Sequence, residues 1–223
     1  MSQIHHLTFP VPEEEIRKLR VGDIVYLTGL IHTVRDMAHP RVLDALRKGE
    51  ALPFNLGDSA IWHCAPIVYQ DEGGKWHVTS AGSTTSSRFT EMGSQIVKLS
   101  GMRVTLGKGT MKQPAIDIFQ ETGSVFLNTT GGIAALYARQ IEEVEDAYWL
   151  ELGLPETVWA LRVKDFGPLI VGIDSHGGSL YENMKLTMNK NLKEQCEKSG
   201  ISLSHDFSYL PVAVTGHTRE EVG

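Results

Sequence analysis

Met102-Arg103-Val104-Thr105-Leu106-Gly107-Lys108-Gly109, then residues 111–121, then Ser124-Val125-Phe126-Leu127-Asn128-Thr129-Thr130-Gly131-Gly132, is the stretch on which the fold is read. Two short apolar runs each end in a glycine-bearing loop, and a helix-forming segment follows each loop: residues 111–121, despite Pro114, and residues 133–139. Short strands alternating with helices are the pattern of an α/β unit containing parallel strands.

Upstream, Trp76-His77-Val78-Thr79 reads as a strand and residues 89–99 as a helix. Between them lies Ser80-Ala81-Gly82-Ser83-Thr84-Thr85-Ser86-Ser87-Arg88. Residues 60–69 form a further predicted strand, joined to Trp76 by a hairpin turn at Asp71-Glu72-Gly73-Gly74-Lys75. Residues 24–34 are strand-like, with an interruption expected near Gly29; the run ends on Arg35-Asp36 before a helix over 37–48. Residues 7–20 are a charged lead-in, expected as a short helix or docking segment. Downstream, 141–150, 158–163 and 169–174 are strand-like, separated by turns containing Pro155, Gly167 and Pro168, and residues 180–199 form a charged closing helix. The expectation is an α/β fold with a mixed sheet: one compact domain over 21–200, a lead-in over 1–20 and a tail over 201–223 without a clear period.

The 223 residues suffice for a sizeable core, and 41% hydrophobic with 22% charged residues is the balance of an ordinary globular protein. With 21 basic against 27 acidic residues and a net charge of -6, the chain lacks the basic face that phosphate neutralisation requires, so no nucleic acid is expected as partner. The apolar run Gly167-Pro168-Leu169-Ile170-Val171-Gly172-Ile173 is far short of the roughly 20 residues that span a bilayer. No membrane association is expected. The N-terminus lacks a secretory layout, so the expected location is cytoplasmic. Only Cys64 and Cys196 are present, which excludes a disulfide framework and a cysteine-rich metal or iron-sulfur site within this chain.

Four junctions carry the candidate chemistry: Arg35-Asp36, the 84–88 loop, Gly107-Lys108-Gly109 and Thr130-Gly131-Gly132. Each follows a predicted strand, and ligands of open α/β sheets collect at the carboxyl ends of strands. Phosphate-loop and dinucleotide fingerprints are absent: Lys108 precedes Gly109 rather than Ser or Thr, and no Gly-x-Gly-x-x-Gly opens a helix. Two arginines, a lysine and clustered hydroxyls suit a small dicarboxylate, since a guanidinium grips carboxylate oxygens in pairs. Taken singly, each has a plainer reading: a polar loop at 80–88, Arg35 as a helix-start residue paired with Asp36, Lys108 as a solvated turn lysine. The nine histidines show no metal-ligand spacing, and His63 and His77 read as strand residues. His32 and His39 lie near Arg35, where a structural role competes with any other.

These motifs together resemble the β subunit, or C-terminal domain, of class I iron-sulfur hydro-lyases, comprising two-subunit fumarate hydratase and L(+)-tartrate dehydratase. The marks are Val21-Gly22-Asp23-Ile24-Val25-Tyr26-Leu27-Thr28-Gly29, Arg35-Asp36-Met37-Ala38-His39, Thr84-Thr85-Ser86-Ser87-Arg88, Gly107-Lys108-Gly109 and Glu151-Leu152-Gly153-Leu154-Pro155-Glu156. Phe166-Gly167-Pro168-Leu169-Ile170-Val171 and Asp174-Ser175-His176-Gly177 complete them, over residues 21–186. The resemblance implies a swivelling β/β/α domain paired with an α subunit whose three cysteines hold a 4Fe-4S cluster, the assembly being a homodimer of this chain or α2β2. The open iron would act there as a Lewis acid. On this chain, Arg35, Arg88 and Thr85 would bind substrate carboxylate, Lys108 would balance charge, and Thr84 would take the proton next to the carboxylate. The implied reaction is reversible hydration of fumarate to (S)-malate, with L(+)-tartrate or another 2-hydroxy-dicarboxylate as the alternative substrate. A non-catalytic carboxylate-binding or assembly subunit is the alternative of another class. The chain departs from the usual family pattern at Ser83, Phe89, Thr110 and Ile133.

Overall fold

In the computed structural model residues 2–200 are described; the tail expected from residue 201 lies outside them. The chain divides into two units between Tyr181 and Glu182. The first begins with β1 (Ile4–Thr8), the short α1 (Glu13–Ile16), β2 (Ile24–Thr33) and α2 (Ala38–Lys48). It continues with β3 (Ser59–Trp62), β4 (Cys64–Gln70), β5 (Trp76–Ser83), a 3-10 turn over Ser86–Phe89, and α3 (Thr90–Ser100). Then come β6 (Val104–Gly107), α4 (Gln113–Thr122), β7 (Val125–Asn128), α5 (Ala134–Arg139), β8 (Ile141–Tyr148) and β9 (Val158–Ile173). A last helix, α6 (Leu180–Lys198), runs on into the second unit.

The seven-stranded sheet has the order β1-β2-β3-β6-β7-β9-β8, and an extra pairing of β2 with β9 closes five of its strands into a barrel-like ring. Neighbours from β1 to β7 are parallel, whereas β9 is antiparallel to β2, β7 and β8. Strand periodicity divides the core in two. Trp62, Val125 and Leu127 belong to one apolar cluster with Leu27, Trp159 and Phe166; the intervening Ile61 and Phe126 belong to another with Val42, Ile96, Ile116 and Phe119 of α2, α3 and α4. Alternation along one strand thus serves the ring interior and the helical layer at once.

Several expected boundaries move. Strand 60–69 is two strands broken at His63, because β3 pairs within the main sheet while β4 leaves it to pair with β5 in a separate hairpin. The segments 158–163 and 169–174 are one strand: Gly167-Pro168, expected as a turn, lies inside β9, which must run sixteen residues to reach three partners. Nor is β2 interrupted. Gly29 takes a positive φ of 129°, and the register with β9 shifts between Leu27 and Gly29, so the irregularity is a bulge within a continuous strand. The charged lead-in contributes an edge strand, β1, and α1 with its following turn buries Ile16 and Leu19 completely. The helix expected despite Pro114 starts at Gln113, placing proline in the first turn, where its missing N–H costs nothing.

Candidate functional site

Because β2, β3, β6 and β7 are adjacent and parallel, their carboxyl ends share one edge of the ring. Arg35-Asp36 follows β2, His63 follows β3, Lys108 follows β6, and Thr130-Gly131-Gly132 follows β7. The 84–88 loop arrives from the hairpin and is stitched onto this edge. Thr84 donates its amide to the His63 carbonyl at 2.7 Å, Thr85 bridges to Lys108, and Ser86 donates its amide to the Lys108 carbonyl at 2.9 Å.

Asp36 draws the two arginines together. Its Oδ2 accepts from Arg88 Nη2 at 2.9 Å and lies 3.3 Å from Arg35 Nη2. Both partners of the Asp36–Arg88 pair stay wet, the Arg88 side chain being 49% and that of Asp36 43% exposed, so this pairing is weak and open to exchange with another carboxylate. Arg35 is more enclosed. Its Nε lies 3.8 Å from Glu156 Oε1 and has no hydrogen-bond partner among the described residues, while the Glu156 carboxylate also receives the Met37 amide at 2.8 Å.

Lys108 lies against the fourth junction: a Cβ built on Gly131 would stand 3.4 Å from Lys108 Cδ. Gly107 is required on packing grounds, since a Cβ there would come within 1.9 Å of Ser86 Oγ and 3.0 Å of His63 Nδ1. Ser83 accepts from the Trp62 indole at 2.6 Å, and its hydroxyl lies 2.6 Å from Thr129 Oγ1, which is itself 2.9 Å from the Gly107 carbonyl. The departure at 83 therefore ties the hydroxyl loop to the ends of β3, β6 and β7.

All five predicted site residues, Arg35, Thr84, Thr85, Arg88 and Lys108, sit on these neighbouring loops. Sequence reasoning gives Glu156 and His63 no part in the site; it reads Asp36 as the partner of Arg35, which the structure shows at 3.3 Å, and His39 as a neighbour of Arg35. For Glu156 and His39 a signal exists in the 151–156 and 35–39 motifs, whereas His63, a lone histidine in an apolar run, gives none.

Cys64 and Cys196 are free and buried, and burial pushes the Cys64 thiol well above its ordinary value, with Arg35 pulling weakly the other way. A coordinating thiolate needs the opposite shift. Among the described residues no group of three or more His, Cys, Asp and Glu converges that could hold a metal ion. No described helix is long and apolar enough to cross a membrane. A cleft of about 220 Å³ between the β4–β5 hairpin and β8 is lined by Tyr69, Lys75, Trp76 and Glu143, away from these loops; Lys75 is paired there with Glu143 at 3.9 Å.

The model of the family described as Fumarase C-terminus matches residues 2–184. A putative L(+)-tartrate dehydratase subunit beta of Methanocaldococcus jannaschii is 43% identical over 183 residues, 82% of this chain and 93% of the relative. The L(+)-tartrate dehydratase subunit beta of Escherichia coli K12 is 40% identical over 195 residues, 86% of this chain and 95% of the relative. A putative class I fumarate hydratase of Geobacillus stearothermophilus is 42% identical over 188 residues, 84% of this chain but only 35% of that longer protein.

Proposed function

This chain belongs to the Fumarase C-terminus family, and from that premise we propose that it is the β subunit of a two-subunit hydro-lyase, hydrating fumarate to (S)-malate and reversing the step. The observation that carries the reading is the meeting of Arg35 and Arg88 on one exposed carboxylate, beside a hydroxyl loop bridged to Lys108. A ligand dianion takes the place of Asp36 between the guanidinium groups, where a planar fork meets carboxylate oxygens in pairs.

In the dehydration direction the proton leaves the carbon next to a carboxylate, and Thr84 is the residue assigned to accept it. A threonine hydroxyl is a poor base unless nearby positive charge and exclusion of water stabilise its alkoxide. Lys108 and Arg88 supply that charge from the bridged loops, and Thr85 helps hold the carboxylate. A 4Fe-4S cluster is assigned to an α subunit, in keeping with the unsuitable cysteines here and with the name "subunit beta" borne by relatives of this length. The enzyme is then active only as the pair, as α2β2 or around a homodimer of this chain, and the domain is of the swivelling β/β/α type. A cytoplasmic setting goes with two cysteines that form no disulfide.

L(+)-tartrate is the runner-up substrate, favoured by the names of two relatives above. Co-purification with a cluster-bearing α subunit, followed by kcat/KM on (S)-malate, fumarate and L(+)-tartrate, tests both. A preference for malate and fumarate supports the proposal, a preference for tartrate transfers it to the runner-up, and turnover by the isolated chain refutes the division of labour.

A further inference from the structure

Beneath the charged loops lies a buried layer that the function above leaves without a task. His39 and His63 are both fully buried, their ring centroids 5.1 Å apart. Phe89, one of the departures from the family pattern, stacks on His39 at 4.4 Å with an interplanar angle of 4° and packs against His63 at 4.6 Å. The Arg88 guanidinium carbon stands 5.2 Å from the centroid of the same Phe89 ring.

Each imidazole holds a different loop. His39 Nδ1 is 2.8 Å from the Arg35 carbonyl oxygen; since a carbonyl only accepts, Nδ1 carries the proton and donates it. His63 holds more. Its amide donates to the Leu106 carbonyl at 2.9 Å, its carbonyl receives the Thr84 amide, and its Nδ1 lies 2.8 Å from Ser86 Oγ. Ser86 in turn is bonded through its amide to Lys108. The Ser86 hydroxyl has no other acceptor among the described residues, so it donates to Nδ1, and the proton of His63 itself rests on Nε2.

We propose that His39 and His63 are positioning residues of opposite tautomer that set the Arg35, Thr84 and Lys108 loops in register, an inference that rests on the carboxylate-binding reading of those loops. Among the described residues neither buried Nε2 atom has a hydrogen-bond partner, one being a bare acceptor and the other a donor, a cost that a layer serving only to pack would not carry. Keeping the rings uncharged also matters. Burial holds His39 down to about 4, with the Arg35 carbonyl and Asp36 pulling back; His63 is held well below its ordinary value by burial, then by His39 and Arg88. A cationic ring here would stand against the arginines that grip the substrate.

The test is steady-state kinetics of the complex with its cluster-bearing partner. Ser86→Ala lowers kcat about tenfold with KM within twofold, because it loosens the proton-transfer loops alone. His39→Gln raises KM about tenfold through Arg35, and His39→Asn, whose amide imitates Nδ1, restores most of the loss. A purely structural role would lower thermal stability alike in both His39 variants and leave KM unmoved. The inference is overturned if Ser86→Ala keeps kcat and His39→Gln keeps KM while Arg88→Ala raises KM. Should the complex act on no dicarboxylate, the function proposed above fails, yet 15N spectra of the full chain still decide the positioning claim. Opposite tautomers at His39 and His63, with displaced Thr84 and Lys108 amide signals in Ser86→Ala, support it; matching tautomers or undisturbed amides overturn it.

Discussion

The loop layer and the imidazole layer beneath it hold their polar groups by contrasting means. Above, Asp36, Arg35 and Arg88 are paired at separations of 2.9 and 3.3 Å while Asp36 and Arg88 remain half in water; below, His39 and His63 are dry, uncharged and bonded through Nδ1. Exposed ion pairs contribute little and exchange readily, which suits groups that, on the proposed function, accept an incoming carboxylate. Buried hydrogen bonds are costly to leave unmade, which suits groups that must not move. The difference separates affinity for the ligand from placement of the residues that meet it.

The largest expected effect breaks the upper layer. Thr84→Ala lowers kcat of the complex by about 10²–10⁴, the usual range for losing a positioned proton acceptor, while the Tm stays within a few degrees. Full turnover by this variant would leave the chain a binding or assembly subunit. Arg88→Ala raises KM by roughly ten- to a hundredfold, as expected for a lost charged hydrogen bond to a carboxylate.

The lower layer answers to pH. Burial holds His39 at about 4 in the folded chain, and likewise His32, which lies apart from that layer, bonded to Ser59 and stacked on Phe54, so the unfolded chain binds more protons between pH 6.5 and 4. Their stabilisation is complete above pH 6.5 and falls away toward pH 4, each residue accounting for about 3 kcal/mol at most. Urea titrations across that window check it; a flat profile would mean these rings are solvated.

Gly107→Ala drives a methyl into Ser86 Oγ and His63 Nδ1 and lowers stability by roughly 1–3 kcal/mol, read as a falling denaturation midpoint. Asp36→Asn, by contrast, changes stability by less than about 1 kcal/mol. If the two substitutions cost the same, the contrast between the layers is lost.

What the sequence disclosed follows the same line. The alternation through residues 102–139 was legible because β6, α4, β7 and α5 are local and each ends on a turn-forming loop. The candidate cations were legible as charge at strand ends. The break at His63 was not, since residues on both sides are apolar and only the exchange of sheet partners tells β3 from β4. Gly167-Pro168 reads as a turn, yet ring closure by β9 overrides it. The tasks of His39 and His63 depend on what lies across from them. No period records that.

Ring closure also sets an order of events. The last stave, β9, ends at Ile173 and must come back to β2, which begins at Ile24. A nascent chain therefore displays its arginine, threonine and lysine loops long before the hoop that spaces them can shut. Such distant pairing is slow, so competence for the proposed partner arrives as a late and all-at-once event in the birth of the molecule.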